Sequence, residues 1–219
     1  MRAPRSQRTR PGRRRAAAVT TDGTVEAAAA AARRGALVVF PTDTVYGIGT
    51  RPDDRSATAR LFAAKRRARE LTLPVLVATT DDARRVAVFD GSAARVAAAC
   101  WPGALTIVLA RTALSRGWEL GGDGATIGVR VPDHAVAESL LERTGPLAAT
   151  SANRSGERPG RDRDELVAMF GAAVAVYLTT DRPLTGAAST VMDLTGPEPK
   201  ILRRGDVDPA FVTAVATTP

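Results

Sequence analysis

At 219 residues the chain suits one domain with a tail, long enough to bury a sizeable core. Its formal charge of +8 points to a polyanion partner, yet residues 1–15 hold seven arginines and no acid, so the rest carries only +1. A lone cysteine, Cys100, excludes an internal disulfide and any multi-cysteine metal site, and no apolar run approaches the ~20 residues of a membrane span.

Residues 1–17 therefore read as a basic, disordered tail, 18–210 as the folded domain and 211–219 as a short C-terminal tail. Thr24 to Arg34 is alanine-rich and predicts a helix, capped by Thr21 or Asp22 and closed by Gly35. The apolar, β-branched run Ala36 to Phe40 predicts a buried strand that Pro41 ends. A functional loop follows, in which Thr42, Asp43, Thr44 and Tyr46 supply polar groups and Gly47 and Gly49 permit close approach or positive φ.

Further helices are predicted over 54–67, 81–88, 92–100, 135–143 and 163–170, and strands over 73–78, 104–110, 126–131, 147–150 and 173–178. Segments 189–194 and 200–203 read as a terminal hairpin. Strands and helices alternate, but several strand pairs lack a crossover helix, so the sheet should be mixed parallel and antiparallel within a three-layer α/β/α domain.

The polar residues at these strand ends share a chemistry. Thr44, Thr106, Thr126, Arg130, Ser151, Asn153, Ser189 and Arg203 are hydroxyls, amides and cations, and Lys65 and Arg67 join them from a helix end. Arg130 stands inside an apolar strand, a costly position unless it meets an anion. The turn from Ser151 to Gly156 has backbone donors suited to an anion nest. The single histidine, His134, sits at a helix start and reads as a cap-region residue. There is no nucleophile elbow, paired-carboxylate motif, Walker loop or dinucleotide fingerprint. Convergent donors and cations without a nucleophile suit an anion, and a reaction driven by positioning and charge stabilisation, such as nucleotidyl transfer.

Seven ordered motifs carry a resemblance: Pro41 to Gly47, Lys65-Arg-Arg67, Trp101 to Thr106, Val129 to Asp133, Thr150 to Asn153 with Ser155-Gly156, Ser189-Thr-Val191, and Ile201 to Arg203 with Gly205. Together they resemble the threonylcarbamoyl-adenylate synthases, the YrdC/Sua5-like family, over about residues 24–207. The resemblance implies a twisted mixed sheet with flanking helices, YrdC/RibB-like, in a short form without the extra C-terminal domain of longer members. It implies an enzyme that joins L-threonine, bicarbonate and ATP into threonylcarbamoyl-adenylate and pyrophosphate, for N6-threonylcarbamoyladenosine at tRNA position 37. By motif position, Thr44, Arg130, Thr150 and Ser189 resemble the family's threonine-binding groups, and Lys65, Arg67, Thr126, Ser151, Asn153 and Arg203 those around ATP. Lys65 and Arg67 take the catalytic assignment, and Ala152 contributes only its backbone. Magnesium arrives with ATP, no cofactor is held tightly, and the product passes to tRNA threonylcarbamoyltransferase proteins in the cytoplasm. Where many relatives have a polar residue and a proline after the Lys-x-Arg motif, this chain has Leu71-Thr72.

Two rivals stand beside it. An RNA-binding module would grip tRNA through the arginine tail, and that binding should weaken steeply with salt and vanish on deleting residues 1–15. A carbamoyltransferase of the hydrogenase-maturation type carries zinc-binding cysteines, which one cysteine does not supply.

Overall fold

Short polar side chains start most of the helices. In the computed structural model, which describes residues 23–181 and 183–218, Thr24 caps α1 (Val25–Arg33) by accepting from the Ala27 amide at 3.1 Å. The cap is thus Thr24; Thr21, Asp22 and the basic tail lie outside the described residues. Strand β1 (Leu37–Phe40) turns back antiparallel into β2 (Gly47–Thr50), and Asp54 then caps α2 (Arg55–Lys65). After β3 (Val75–Leu76), Thr79 caps α3 (Thr80–Val86) and Asp90 caps α4 (Gly91–Cys100). Strand β4 (Leu105–Ala110), the one-turn α5 (Ala113–Arg116) and β5 (Thr126–Arg130) follow. His134 caps α6 (Ala135–Thr144), its Nδ1 accepting from the Val136 amide, as its place at a helix start implied. The chain continues through β6 (Leu147–Ser151), α7 (Arg163–Phe170), β7 (Val174–Tyr177), β8 (Thr190–Asp193), β9 (Lys200–Arg203) and α8 (Pro209–Thr217).

The strands form one sheet in the order β7-β1-β2-β6-β3-β5-β4-β8-β9. Pairs β1/β7, β3/β5 and β4/β8 are parallel and the remaining pairs antiparallel, which bears out the mixed sheet. Period-two alternation assigns each strand residue to one of two layers. On one face, Val38, Phe40, Leu147 and Ala149 meet the small-residue side of α1 (Ala28, Ala29, Ala31, Ala32) and the apolar side of α6. On the other face, Val39, Ile48, Val75, Ile107, Val129 and Met192 pack under α2, α3, α4, α7 and α8. The three-layer α+β architecture is complete at that point. Among the described residues no helix is long and apolar enough to cross a membrane.

Three departures from the sequence reading have physical causes. Gly47 and Gly49 belong to a strand, and glycine serves there for close approach: a Cβ on Gly49 would stand 2.9 Å from the Ala148 carbonyl oxygen. Strand β3 contracts to two residues, because Leu73 instead bonds out of the sheet, its amide donating to the Leu120 oxygen at 2.7 Å. Residues expected as a C-terminal tail form α8, with Val212 and Ala216 buried against α4, and Ser92 and Arg95 both donate to the Ala216 oxygen. A helix whose apolar stripe is filled by a distant partner gives only a weak local signal.

Val212→Ala should therefore lower the unfolding free energy by roughly 1–3 kcal/mol in urea titration, as expected for a buried side chain. A C-terminal tail free of the core would give no change.

Candidate active site

The α1/α6 layer covers only part of its sheet face. Over β5, β4 and β8 that face stays open and floors a cavity of about 540 Å³. Alternation builds the floor: Thr126, Gly128 and Arg130 of β5 and Thr106 and Val108 of β4 line the cavity, while Ile127, Val129, Leu105, Ile107 and Leu109 point into the opposite core. Gly47, Gly128 and Ala149 keep the floor low. The Thr42–Val45 loop, the Leu71–Thr72 segment and Leu202 of β9 form the walls.

Arg130 is the most constrained group here. Its Nε donates to the Gly103 oxygen at 2.9 Å, its Nη1 to Thr44 Oγ1 at 3.1 Å and its Nη2 to Asp43 Oδ1 at 2.6 Å. Asp43 also accepts from the Asp133 amide, and Thr42 bonds the Thr44 hydroxyl. The anion that the buried arginine requires is thus supplied by Asp43, a role the sequence reading did not assign. Burial pulls the guanidinium below its ordinary range and Asp43 pulls it back. Among the described residues three of its five N–H groups are engaged, and the other two have the geometry of a carboxylate-type fork.

Two further arginines border the same space. Arg67 donates to the Leu71 and Thr72 oxygens, both at 3.1 Å, so the Leu71-Thr72 departure still serves the site through its carbonyls. Arg203 grips the Ser189 oxygen with Nε and Nη2 and the Ser189 hydroxyl with Nη2. Burial lowers both guanidinium groups, and Arg203 adds to the lowering at Arg67. Mutual repulsion across one hollow is relieved by a polyanion.

Eight of the expected site residues line this cavity: Thr44, Arg67, Thr126, Arg130, Thr150, Ser151, Ser189 and Arg203. Lys65, Ala152 and Asn153 do not. Helix α2 ends at Lys65, and Arg66 takes the left-handed conformation (φ 51°), which sends Lys65 inward and Arg67 to the cavity. The Lys65 ammonium donates to the Ser151 oxygen at 2.5 Å, the Asn153 oxygen at 2.6 Å and Asn153 Oδ1 at 3.2 Å. Burial, with Arg67 adding, lowers its pKa to about 7, while three oxygen acceptors favour the proton. Asn153 is saturated by Lys65, Ser151 and the Arg154 and Glu157 oxygens.

Within the turn expected as an anion nest, three amides are engaged by the fold: Ala152 donates to the Tyr46 oxygen at 2.7 Å, Asn153 to Ser151 and Ser155 to Lys65. Among the described residues no group of three histidine, cysteine or acidic side chains could hold a metal; Glu70 lines the cavity, and Asp43 is committed to Arg130.

Asp43→Ala leaves a buried guanidinium without its carboxylate and should cost about 3–5 kcal/mol in chemical denaturation. The exposed Arg51–Asp53 pair is the control, since Asp53→Ala should cost at most about 1 kcal/mol.

Known proteins share this sequence and fold. The Sua5/YciO/YrdC family model, described as "Telomere recombination", matches residues 30–205. A Mycobacterium tuberculosis protein provisionally named threonylcarbamoyl-AMP synthase is 43% identical over 183 residues, 83% of each chain. The threonylcarbamoyl-AMP synthase of Chromohalobacter salexigens is 36% identical over 165 residues, 74% of this chain and 87% of its own. The structure of Pyrococcus abyssi Sua5 complexed with L-threonine superposes with a TM-score of 0.79 at 31% identity, covering 87% of this chain and 56% of that one. This chain thus spans little more than half the Pyrococcus protein. On the extent of the family match and the identity to these relatives, the chain belongs to the Sua5/YciO/YrdC family.

Proposed function

We propose that this protein is a threonylcarbamoyl-AMP synthase, which joins L-threonine, bicarbonate and ATP into threonylcarbamoyl-adenylate and releases pyrophosphate. One observation carries the reading: loops far apart in sequence bring a carboxylate-type fork, Arg130 with Thr44, into the same cavity as two phosphate-type cations, Arg67 and Arg203. Names of the mycobacterial and halophile relatives support it.

The chemistry follows from that juxtaposition. The threonine amine attacks CO2 derived from bicarbonate and gives a carbamate, with the amine proton passing to solvent. A carbamate oxygen then attacks the α-phosphorus of ATP. The bond from the α-phosphorus to the bridging oxygen breaks, and its electron pair leaves on pyrophosphate. Arg130, Thr44, Thr150 and Ser189 hold the amino acid, which fixes the carbamate against the α-phosphate. Arg67 and Arg203 offset the charge that gathers on the phosphate oxygens. Thr126 and Ser151 border the nucleotide, and Lys65 with Asn153 stiffens the turn that presents Ser151. Magnesium carried on the triphosphate supplies further charge neutralisation. The adenylate is an activated acyl donor whose acceptor is the N6 of adenosine 37 in tRNA, reached through tRNA threonylcarbamoyltransferase proteins.

Pyrophosphate release from purified protein should require ATP, bicarbonate and L-threonine together; release indifferent to threonine would remove the reading. Arg130→Lys should raise the KM for threonine by about tenfold or more with the KM for ATP little changed, and Arg67→Ala should do the reverse, as expected when a charge-assisted fork is lost.

A further inference from the structure

We infer that Thr106 is a further substrate-binding residue, which with Ser189 presents one directed O–H to a planar carboxylate-type anion held beside Arg130. The inference rests on the synthase reading and adds a contact to its site.

Thr106 stands between the two arginines that matter. In the antiparallel β4/β5 ladder Val108 faces Gly128 and Ile107 faces Val129, so the next step sets Thr106 beside Arg130 on the cavity face. On its other side β4 runs parallel to β8, where Thr106 faces Val191, two residues beyond Ser189. Thr106 Oγ1 and Ser189 Oγ lie 2.9 Å apart and both residues are buried. The Thr106 methyl faces β5, since a Cβ on Gly128 would come 3.2 Å from Thr106 Cγ2. Glycine at 128 therefore lets the hydroxyl face Ser189 and the cavity.

Proton counting bears on the direction of the pair. Each hydroxyl has one proton to give. Ser189 Oγ accepts from the Arg203 guanidinium at 2.9 Å, which polarises the serine O–H and makes it the stronger donor of the two. Either hydroxyl can donate across the 2.9 Å contact, and the arrangement we infer has Ser189 donating to Thr106, which leaves the Thr106 proton. Among the described residues Ser189 is the one hydrogen-bond partner of Thr106 Oγ1. The proton at the end of this Arg203-to-Ser189-to-Thr106 chain, with the two unengaged N–H groups of Arg130, matches the donors that a planar CO2 group of an amino acid or of bicarbonate accepts.

The test uses the full chain, with each substrate varied in turn for Thr106→Val, Thr106→Ser and Ser189→Ala. Thr106→Val should raise the KM for threonine by about tenfold, the loss of one hydrogen bond to a charged group, and leave the KM for ATP within about twofold. Thr106→Ser should restore it. Ser189→Ala should act on the same substrate, because it removes the polarising link together with the serine's own place beside the amino acid. A rise in the KM for bicarbonate in place of threonine would also support the inference and identify bicarbonate as the anion. If Thr106→Val does not fold, Gly128→Ala, which crowds the Thr106 methyl, should give the same selective rise. Unchanged KM values for both anions, or a rise for ATP alone, would overturn it. Calorimetric titration of the same variants with L-threonine keeps the two readings apart: Thr106-dependent binding by a protein that releases no pyrophosphate would sink the synthase reading and leave this one standing.

Discussion

A buried guanidinium is the constraint around which this molecule is arranged. Arg130 lies in the middle of a sheet, between strands whose alternate residues form the core. Removing it from water is tolerable only because Asp43, Thr44 and the Gly103 oxygen surround it. Those partners come from the loop after β1 and the turn before β4, so one side chain ties three remote segments into one wall. The same bonds leave two N–H groups without an acceptor among the described residues. Stability and the proposed ligand binding therefore meet in one group, and its carboxylate partner Asp43 fixes the orientation of the fork.

Strand periodicity does the rest of the partitioning. In β4 and β5 successive residues alternate between a dry core and a wet floor, so each strand supplies structure and site in equal measure. Helices α1 and α6 shelter one part of that face, where Val38, Phe40 and Leu147 need cover. Over Thr106, Gly128 and Thr126 no helix of the described residues packs on the sheet, and small residues there give the floor its depth. Three arginines border the hollow with one acid, Glu70, in its lining, an arrangement that suits an anionic ligand.

What the sequence disclosed followed the range of the interaction behind each feature. The span of α7 was legible to the residue, because its cap, Asp162, and the breaker Gly171 are local signals. The need of Arg130 for an anion was legible too, since an arginine in an apolar strand is anomalous by itself. Its partner was not, because Asp43 sits 87 positions away in a loop where it read as one polar group among several. Strand β2 is four residues with two glycines, too short for periodicity to register. Lys65 and Arg67 read as a pair, but the left-handed turn at Arg66 separates them, and a non-glycine residue gives no notice of such a conformation. Ala152 and Asn153 stand in a matching motif, yet their polar groups hold the turn together beneath the cavity. A motif records which residues are near a site and not which of their atoms face the ligand.

The central claim is that one hollow holds an amino acid against the α-phosphate of a nucleotide. A crystal structure with L-threonine and a non-hydrolysable ATP analogue tests it most directly. The account predicts the threonine carboxylate about 3 Å from the Arg130 nitrogens, its amine turned toward the α-phosphate, and the phosphates beside Arg67 and Arg203. Ligands seated on separate faces, or a threonine carboxylate held away from Arg130, would contradict it.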